Sequence, residues 1–379
     1  MKMKLVKPDY KNSTINMISS ILNKYGVESE YNTIEPLDNI IRDVDNVVLF
    51  IFDGLGNNIL NSSSKNGLFN KNKIREITSV FPSTTVAGIN TISSGLSPIE
   101  HGWLGWTLYF SEVDRTIEVF KNRYVAHKEE VTLDYKEIMK YENIFTKISK
   151  NNICCNYFRP DSIPNDMEDA RNYPYKSLKI GLKALNKEVL NSSKKTFTYF
   201  YYDDPDKTLH IRGTKSLIVK HKIRRIEKLI GKFLKKTNEN TAFIISADHG
   251  LTDIDGYIYL RDDKDLYKMI KRRTSIETRA TSVLLKNKYK EEFKEIFLKK
   301  YGDKFEVFSK EEVINQNLLG FGIPHFKVDS FIGDYLVIAK DRLCIHYSTE
   351  HKHKFKASHA GMTEDEMIIP LIVLNNKKK

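Results

Sequence analysis

Six candidate ligands for divalent cations fall in four short clusters of this sequence. Asp206 and His210 stand four residues apart in Pro205-Asp206-Lys207-Thr208-Leu209-His210. From one helical turn or a loop, that spacing aims a carboxylate and an imidazole at a common point. Asp248 and His249 are adjacent in Asp248-His249-Gly250, His359 sits in Ser358-His359-Ala360-Gly361-Met362, and Asp53 precedes Gly54. Oxygen and nitrogen donors without thiolates suit Zn²⁺ first and Mn²⁺ second. Taken singly, an Asp-His pair reads as a turn with a satisfied histidine, and His359 as structural. The joint arrangement is what argues for a metal site. A hydroxyl nucleophile is available in Phe81-Pro82-Ser83-Thr84-Thr85. A hydroxyl attacks at neutral pH only when a metal or base removes its proton. At a helix start it could bind a metal while free backbone N–H groups cradle a phosphoryl oxygen. The residues alone do not separate Ser83, Thr84 and Thr85, and helix capping is the plain alternative for each.

Three apolar runs must position these groups, and each ends at an aspartate. Val47 to Phe52 leads into Asp53, Thr196 to Tyr202 into Asp203-Asp204-Pro205-Asp206, and Ala242 to Ala247 into Asp248. Runs apolar throughout, separated by helix-like segments, predict strands covered on both faces of a mostly parallel sheet. Ligands bind beyond the carboxyl ends of such strands, so the aspartates should converge on one edge. A fourth run, Met367 to Leu374, contains Pro370 and is expected at the sheet edge. Between residues 257 and 356 the pattern changes. Ser282 to Leu285, Phe305 to Phe308 and Leu336 to Ala339 read as strands, and Glu291 to Lys300 as a helix. The expected organisation is an α/β core over 1–256 and 357–379, with helices on both faces of its sheet. A small inserted α+β cap spans 257–356.

The 379 residues are 40% hydrophobic and 11% aromatic, which excludes disorder as the dominant state. No apolar run approaches the ~20 residues of a membrane helix. The first residues lack a signal-like apolar stretch, and Cys154, Cys155 and Cys344 form neither a disulfide framework nor a zinc-finger spacing. A cytoplasmic protein is expected. The net charge is +12, with part of it in Lys377-Lys378-Lys379. Eight lysines and arginines between Lys220 and Lys236 face a single Glu227, on an amphipathic helical period. That is a solvated basic face first, and an attractor of polyanions such as nucleotides or nucleic acid second.

Together these motifs resemble the alkaline phosphatase superfamily, in particular its type I phosphodiesterase/nucleotide pyrophosphatase branch. The likeness covers Val47 to Gly102 and Thr196 to Gly250, and more loosely Ser358 to Leu374. The branch places its nucleophile three residues after a Pro and ten before the Gly of a Thr-Gly-like pair. Pro82 and Gly95 both select Thr85 by that measure. The resemblance implies two divalent metal ions. One has Asp53, Asp248 and His249 as ligands with Thr85 at its open position; the other has Asp206, His210 and His359. It implies attack by Thr85 on phosphorus and hydrolysis of a phospho-threonine intermediate.

Two departures stand out. The His-Gly pattern common at the last ligand is His359-Ala360 here, and an Asn that contacts a phosphoryl oxygen in the branch is replaced by Trp106. Trp106 is then the candidate substrate contact, a stacking face for a base or other flat leaving group. Trp103 and Trp106 read equally as core. Arg272, Arg273 and Arg279 read as solvated or salt-bridged, with a reach to a far phosphate as the alternative. His325 shows no partner, and His351 and His353 alternate with lysines as a solvated loop would. The expected function is hydrolysis of phosphodiesters or nucleotide pyrophosphates. A phosphomonoesterase on the same two-metal site is the near alternative, and a non-catalytic, basic nucleic-acid-binding relic of the fold the distant one.

Overall fold

A computed structural model describes residues 3–125, 129–165, 167–189, 194–237, 240–348 and 355–375. The loop with His351 and His353 and the tail Lys377 to Lys379 lie outside the described residues.

The strand Asn46–Phe52 is buried along its whole length, as its apolar sequence requires. It pairs in parallel with Thr196–Tyr202 on one side and Thr241–Ser246 on the other, with Asn46 level with both Thr196 and Thr241. Parallel strands starting level also end level, so Asp53, the acidic run after Tyr202 and Asp248 leave the sheet at one edge. The full sheet has seven strands in the order Lys73–Thr78, Ile368–Asn375, Thr241–Ser246, Asn46–Phe52, Thr196–Tyr202, Cys154–Pro160 and Arg171–Tyr175. Alternate side chains face opposite layers. Phe50 meets Phe200 and Phe233 on one side, whereas Phe197 meets Tyr25 and Phe145 on the other. Helix Leu217–Leu234 packs with Asn57–Ser64 and Leu178–Glu188 in one group, and Thr85–Ser94 with Thr14–Lys24 and Ile144–Ser149 in another.

The sheet is mixed rather than mostly parallel, because Ile368–Asn375 runs antiparallel to both neighbours. That strand is also interior, not the expected edge. Its pairing with Thr241–Ser246 begins at Ile372, beyond Pro370, and the register shifts between Leu371 and Ile372. Proline's missing N–H therefore falls where no ladder to that neighbour exists.

A second seven-stranded sheet, antiparallel throughout, lies beside the first in the order Phe305–Ser309, Tyr335–Ala339, Ala280–Val283, Ser275–Ile276, Thr107–Phe110, Arg115–Glu118 and Arg123–Tyr124. Residues 257–356 supply four of its strands and residues 107–124 the other three. The two stretches meet where Ile276 pairs with Thr107. The basic segment forms the helix Leu217–Leu234, with Val219, Ile223, Ile226 and Ile230 buried. Its one acid, Glu227, is buried too, and takes hydrogen bonds from Ser64 Oγ and the Phe69 amide.

Candidate metal centre and nucleophile

Asp53 follows its strand into a tight turn in which Gly54 has a φ of 72°. A side chain there would be strained, and its Cβ would lie 3.0 Å from the Cβ of Asp206. The turn thus brings the ends of two strands together, an approach sealed by a hydrogen bond from the Asp206 amide to the Asp53 carbonyl. Asp206 and His210 lie on the short helix Asp206–Arg212. Of the other acids in that run, Asp203 pairs with Lys207 and Asp204 with Lys222, so Asp206 alone is left for the cluster. His359 follows the two-residue strand Ala357–Ser358, which pairs with Thr252–Asp253 just beyond Asp248-His249-Gly250.

The result is two trios, Asp53 with Asp248 and His249, and Asp206 with His210 and His359. Within each, the donor atoms all lie within 4.8 Å of one another. His249 Nε2 stands 3.4 Å from Asp53 Oδ1 and 3.6 Å from Asp248 Oδ2, and His210 Nε2 stands 3.3 Å from Asp206 Oδ1. Tetrahedral ligands held ~2.1 Å from a zinc ion stand ~3.4 Å apart, so these separations already match such a shell. The His249 and His359 rings stack at 4.0 Å between centroids, which joins the trios.

The donor atoms also pass a stricter test. Asp53 Oδ1, Asp206 Oδ1, Asp248 Oδ2 and His359 Nδ1 are buried and have no hydrogen-bond partner. Burying such atoms unpaired is costly, and four in one place mark a spot built for a cation. The far sides of the ligands are held. Nδ1 of His210 donates to the Ala357 carbonyl at 2.8 Å and Nδ1 of His249 to the Gly250 carbonyl at 3.0 Å, which leaves each Nε2 with its lone pair toward the cluster. Tyr201 donates to Asp53 Oδ2, and the amides of Gly54 and His249 donate to Asp248 Oδ1. Burial, then the charges of Asp248 and Asp206, raises the Asp53 carboxyl well above its ordinary value. Burial raises Asp248 as well, against the opposing pull of His249. Burial, then the neighbouring His249 and His210, pushes His359 well below the ordinary imidazole value. A divalent cation held here would offset this carboxylate repulsion and would take a neutral His359 as ligand.

The structure separates the three hydroxyls. Ser83 Oγ donates to the Gly361 carbonyl and Thr84 Oγ1 to Glu277. Thr85 Oγ1 lies 3.0 Å from His249 Nε2, beside the first trio. Thr85 opens the helix Thr85–Ser94, Thr84 is its N-cap, and no side chain caps the first turn. Its leading N–H groups thus stay available to an anion at the positive end of the helix dipole. A cavity of about 940 Å³ opens over Thr85, Asp53, Asp206, His210 and His359.

Trp106 lines this cavity with Phe120, edge to face at 5.8 Å, and Lys121 lies over its ring. Trp103 is buried, donates to the Met139 carbonyl and also reaches the cavity wall, so it is both core and pocket lining. Arg279 is fully buried in a two-pronged ion pair with Glu366. Arg272 lies over Tyr109, and Arg273 lines the cavity near Tyr347. His325 Nδ1 accepts from the Lys327 amide.

Two site residues escaped the sequence reading. Tyr201 was hidden in an apolar strand. Glu277 lines the cavity and accepts from both Thr84 Oγ1 and the Trp106 amide, and burial lifts its carboxyl to about 7. Nothing in the spacing around Ile276-Glu277-Thr278 marks it, because it is placed by a two-residue strand.

Residues 47–362 match the profile of the family described as type I phosphodiesterase / nucleotide pyrophosphatase. Among solved structures, the fold is similar to that of murine ectonucleotide pyrophosphatase/phosphodiesterase 5, with a TM-score of 0.65 at 17% identity over 86% of this chain and 87% of that one. The human counterpart gives the same TM-score of 0.65, identity of 17% and coverage of 86% and 87%. Among curated proteins none matches the chain.

Proposed function

The chain belongs to the type I phosphodiesterase/nucleotide pyrophosphatase family, a family of metal-dependent hydrolases, and from that premise we propose that it cleaves phosphodiesters or nucleotide pyrophosphates through Thr85. One observation carries the reading. Two trios of cation donors with unpaired buried atoms share a cavity with Thr85, whose hydroxyl, alone of three in a row, meets the site itself at His249 Nε2.

Thr85 Oγ1 loses its proton to solvent and forms a bond to phosphorus while the ester oxygen opposite leaves with its electron pair and takes up a proton from solvent, giving a phospho-threonine. The open first turn of helix Thr85–Ser94 holds a phosphoryl oxygen through backbone N–H groups during this step. Water then attacks the same phosphorus and returns the threonine hydroxyl. Two divalent ions, zinc first and manganese second, held by Asp53, Asp248 and His249 and by Asp206, His210 and His359, would supply Lewis acidity for both displacements. Stacking of a base or other flat leaving group on Trp106 fits the cavity wall.

A nucleotide as substrate is supported by a relative. A murine ectonucleotide pyrophosphatase/phosphodiesterase 5 variant described as inactive, with threonine changed to alanine, was solved in complex with AMP; it shares 16% identity with this chain and a TM-score of 0.64. The cysteines described are free thiols, two of them buried, which supports the cytoplasmic setting expected from sequence. No helix among the described residues is long and apolar enough to cross a membrane.

The test is turnover of bis(p-nitrophenyl) phosphate and p-nitrophenyl phosphate after chelation and again after adding Zn²⁺ or Mn²⁺. Metal-restored cleavage that favours the diester is expected. Cleavage indifferent to chelation would overturn the metal-dependent reading, and preference for the monoester would move it to phosphomonoesterase.

A further inference from the structure

Glu277 takes no part in the displacements above, yet it stands on the wall of the same cavity. Its Oε1 receives two hydrogen bonds, 2.7 Å from Thr84 Oγ1 and 2.8 Å from the Trp106 amide. Thr84 directly precedes the nucleophile. Trp106 lines the same cavity. The carboxyl thus bridges the residue before Thr85 and the segment facing it, within electrostatic reach of His249 and Asp206.

The backbone behind Glu277 is unusual. Ile276 has a φ of 73° in the two-residue strand held between Thr107–Phe110 and Ala280–Val283. A β-branched residue in the left-handed region is a true outlier, and such strain gathers where the fold over-determines a functional side chain. Gly105 makes room for it, since a Cβ there would come within 2.8 Å of the Ile276 carbonyl oxygen. A glutamine would satisfy the same two donors. What an acid adds is negative charge in a cavity that must admit a phosphate.

We propose that Glu277 sets the charge class of the substrate, disfavouring a phosphoryl group with a third unesterified oxygen and so selecting diesters over monoesters. A monoester carries close to two negative charges and a diester one, so an ionised Glu277 on the wall of the cavity that holds Thr85 penalises the monoester more. This rests on the reading of Thr85 as the nucleophile of a phosphodiesterase.

The experiment compares kcat/KM of the metal-loaded protein and its Glu277→Gln variant on p-nitrophenyl phosphate and bis(p-nitrophenyl) phosphate, at about pH 9, above the value of about 7 to which burial lifts this carboxyl. The monoester-to-diester ratio should rise about tenfold or more in Glu277→Gln. A ratio within about twofold of wild type would reduce Glu277 to a brace for Thr84 and Trp106. Should Glu277→Gln lose its cooperative melt, the wild-type protein decides. Inorganic phosphate should then inhibit no better than dimethyl phosphate, and clearly stronger inhibition by phosphate overturns the proposal. Thr85→Ala, run alongside, separates the two failures. Activity surviving in that variant sinks the nucleophile reading and this proposal with it, whereas an inactive Thr85→Ala with an unchanged Glu277→Gln ratio sinks this proposal alone.

Discussion

Thr85 Oγ1 and His249 Nε2 lie 3.0 Å apart although 164 residues separate them in the chain. The contact joins the start of a helix to the end of a buried strand, and it places one hydroxyl against the donors of one trio. Ser83 and Thr84, its immediate neighbours, turn their hydroxyls to other partners.

Replacing Thr85 by Ala should therefore lower kcat on bis(p-nitrophenyl) phosphate by about 10³-fold or more, the scale of losing a nucleophile. Thr84→Val should retain turnover within about tenfold, because that hydroxyl meets Glu277 and not phosphorus. Equal losses in the two variants would remove the distinction.

Gly88 makes the Thr85 contact attainable. A Cβ at that position would meet the Cβ of Asp248 at 2.8 Å and its carbonyl oxygen at 3.1 Å. Gly88→Ala must push the helix off Asp248, so a loss of ~1–3 kcal/mol in urea unfolding together with reduced turnover is expected. A variant as stable and active as wild type would show that this approach has slack.

Ala360, directly after His359, is buried with a φ of 91°, in the region that favours glycine. Ala360→Gly should raise the urea midpoint, by about 1 kcal/mol in stability, as the strain of the Cβ outweighs the added chain freedom of glycine. A lower midpoint would mean that the Ala360 methyl is held by packing worth more than the strain.

His101 gives a pH dependence away from the metal cluster. Its Nδ1 accepts from the Trp103 amide at 3.0 Å, its Nε2 lies 3.1 Å from Thr91 Oγ1, and burial, then the charge of His325, pushes its pKa down to about 3. The unfolded chain takes up a proton below about pH 6.5, whereas the folded chain does not until about pH 3. His101 therefore contributes stability that is fully present above the unfolded value and lost as pH falls toward the folded one, at up to ~1.4 kcal/mol per pH unit. Urea unfolding of His101→Gln between about pH 6.5 and pH 4 should show a shallower acid decline than wild type. Parallel curves would contradict the assignment.

That the six side chains of the two trios converge was legible in sequence, because they sit at points the chain punctuates strongly. Asp53, Asp206 and Asp248 follow runs too apolar to be anything but buried strands, and level parallel pairing delivers them to one edge. The second sheet was harder to read. Thr107–Phe110, Arg115–Glu118 and Arg123–Tyr124 are short and half-polar and pair with one another locally, but the junction of Thr107 with Ile276 joins positions more than a hundred residues apart, and local pattern offers no hint of it. Pro370 pointed to an edge strand because a missing N–H is forbidden only where a ladder needs it, and register is a tertiary property. Glu277 owes its place to the positive φ of Ile276, which no composition or periodicity records.

Each donor trio is expected to bind one divalent ion in the cavity that holds Thr85. Anomalous diffraction from zinc-loaded crystals, collected above and below the zinc edge, tests it most directly. Two peaks are predicted, one within ~2.2 Å of donor atoms of Asp53, Asp248 and His249 and one equally close to those of Asp206, His210 and His359. Peaks elsewhere, or none at either trio, would contradict the account.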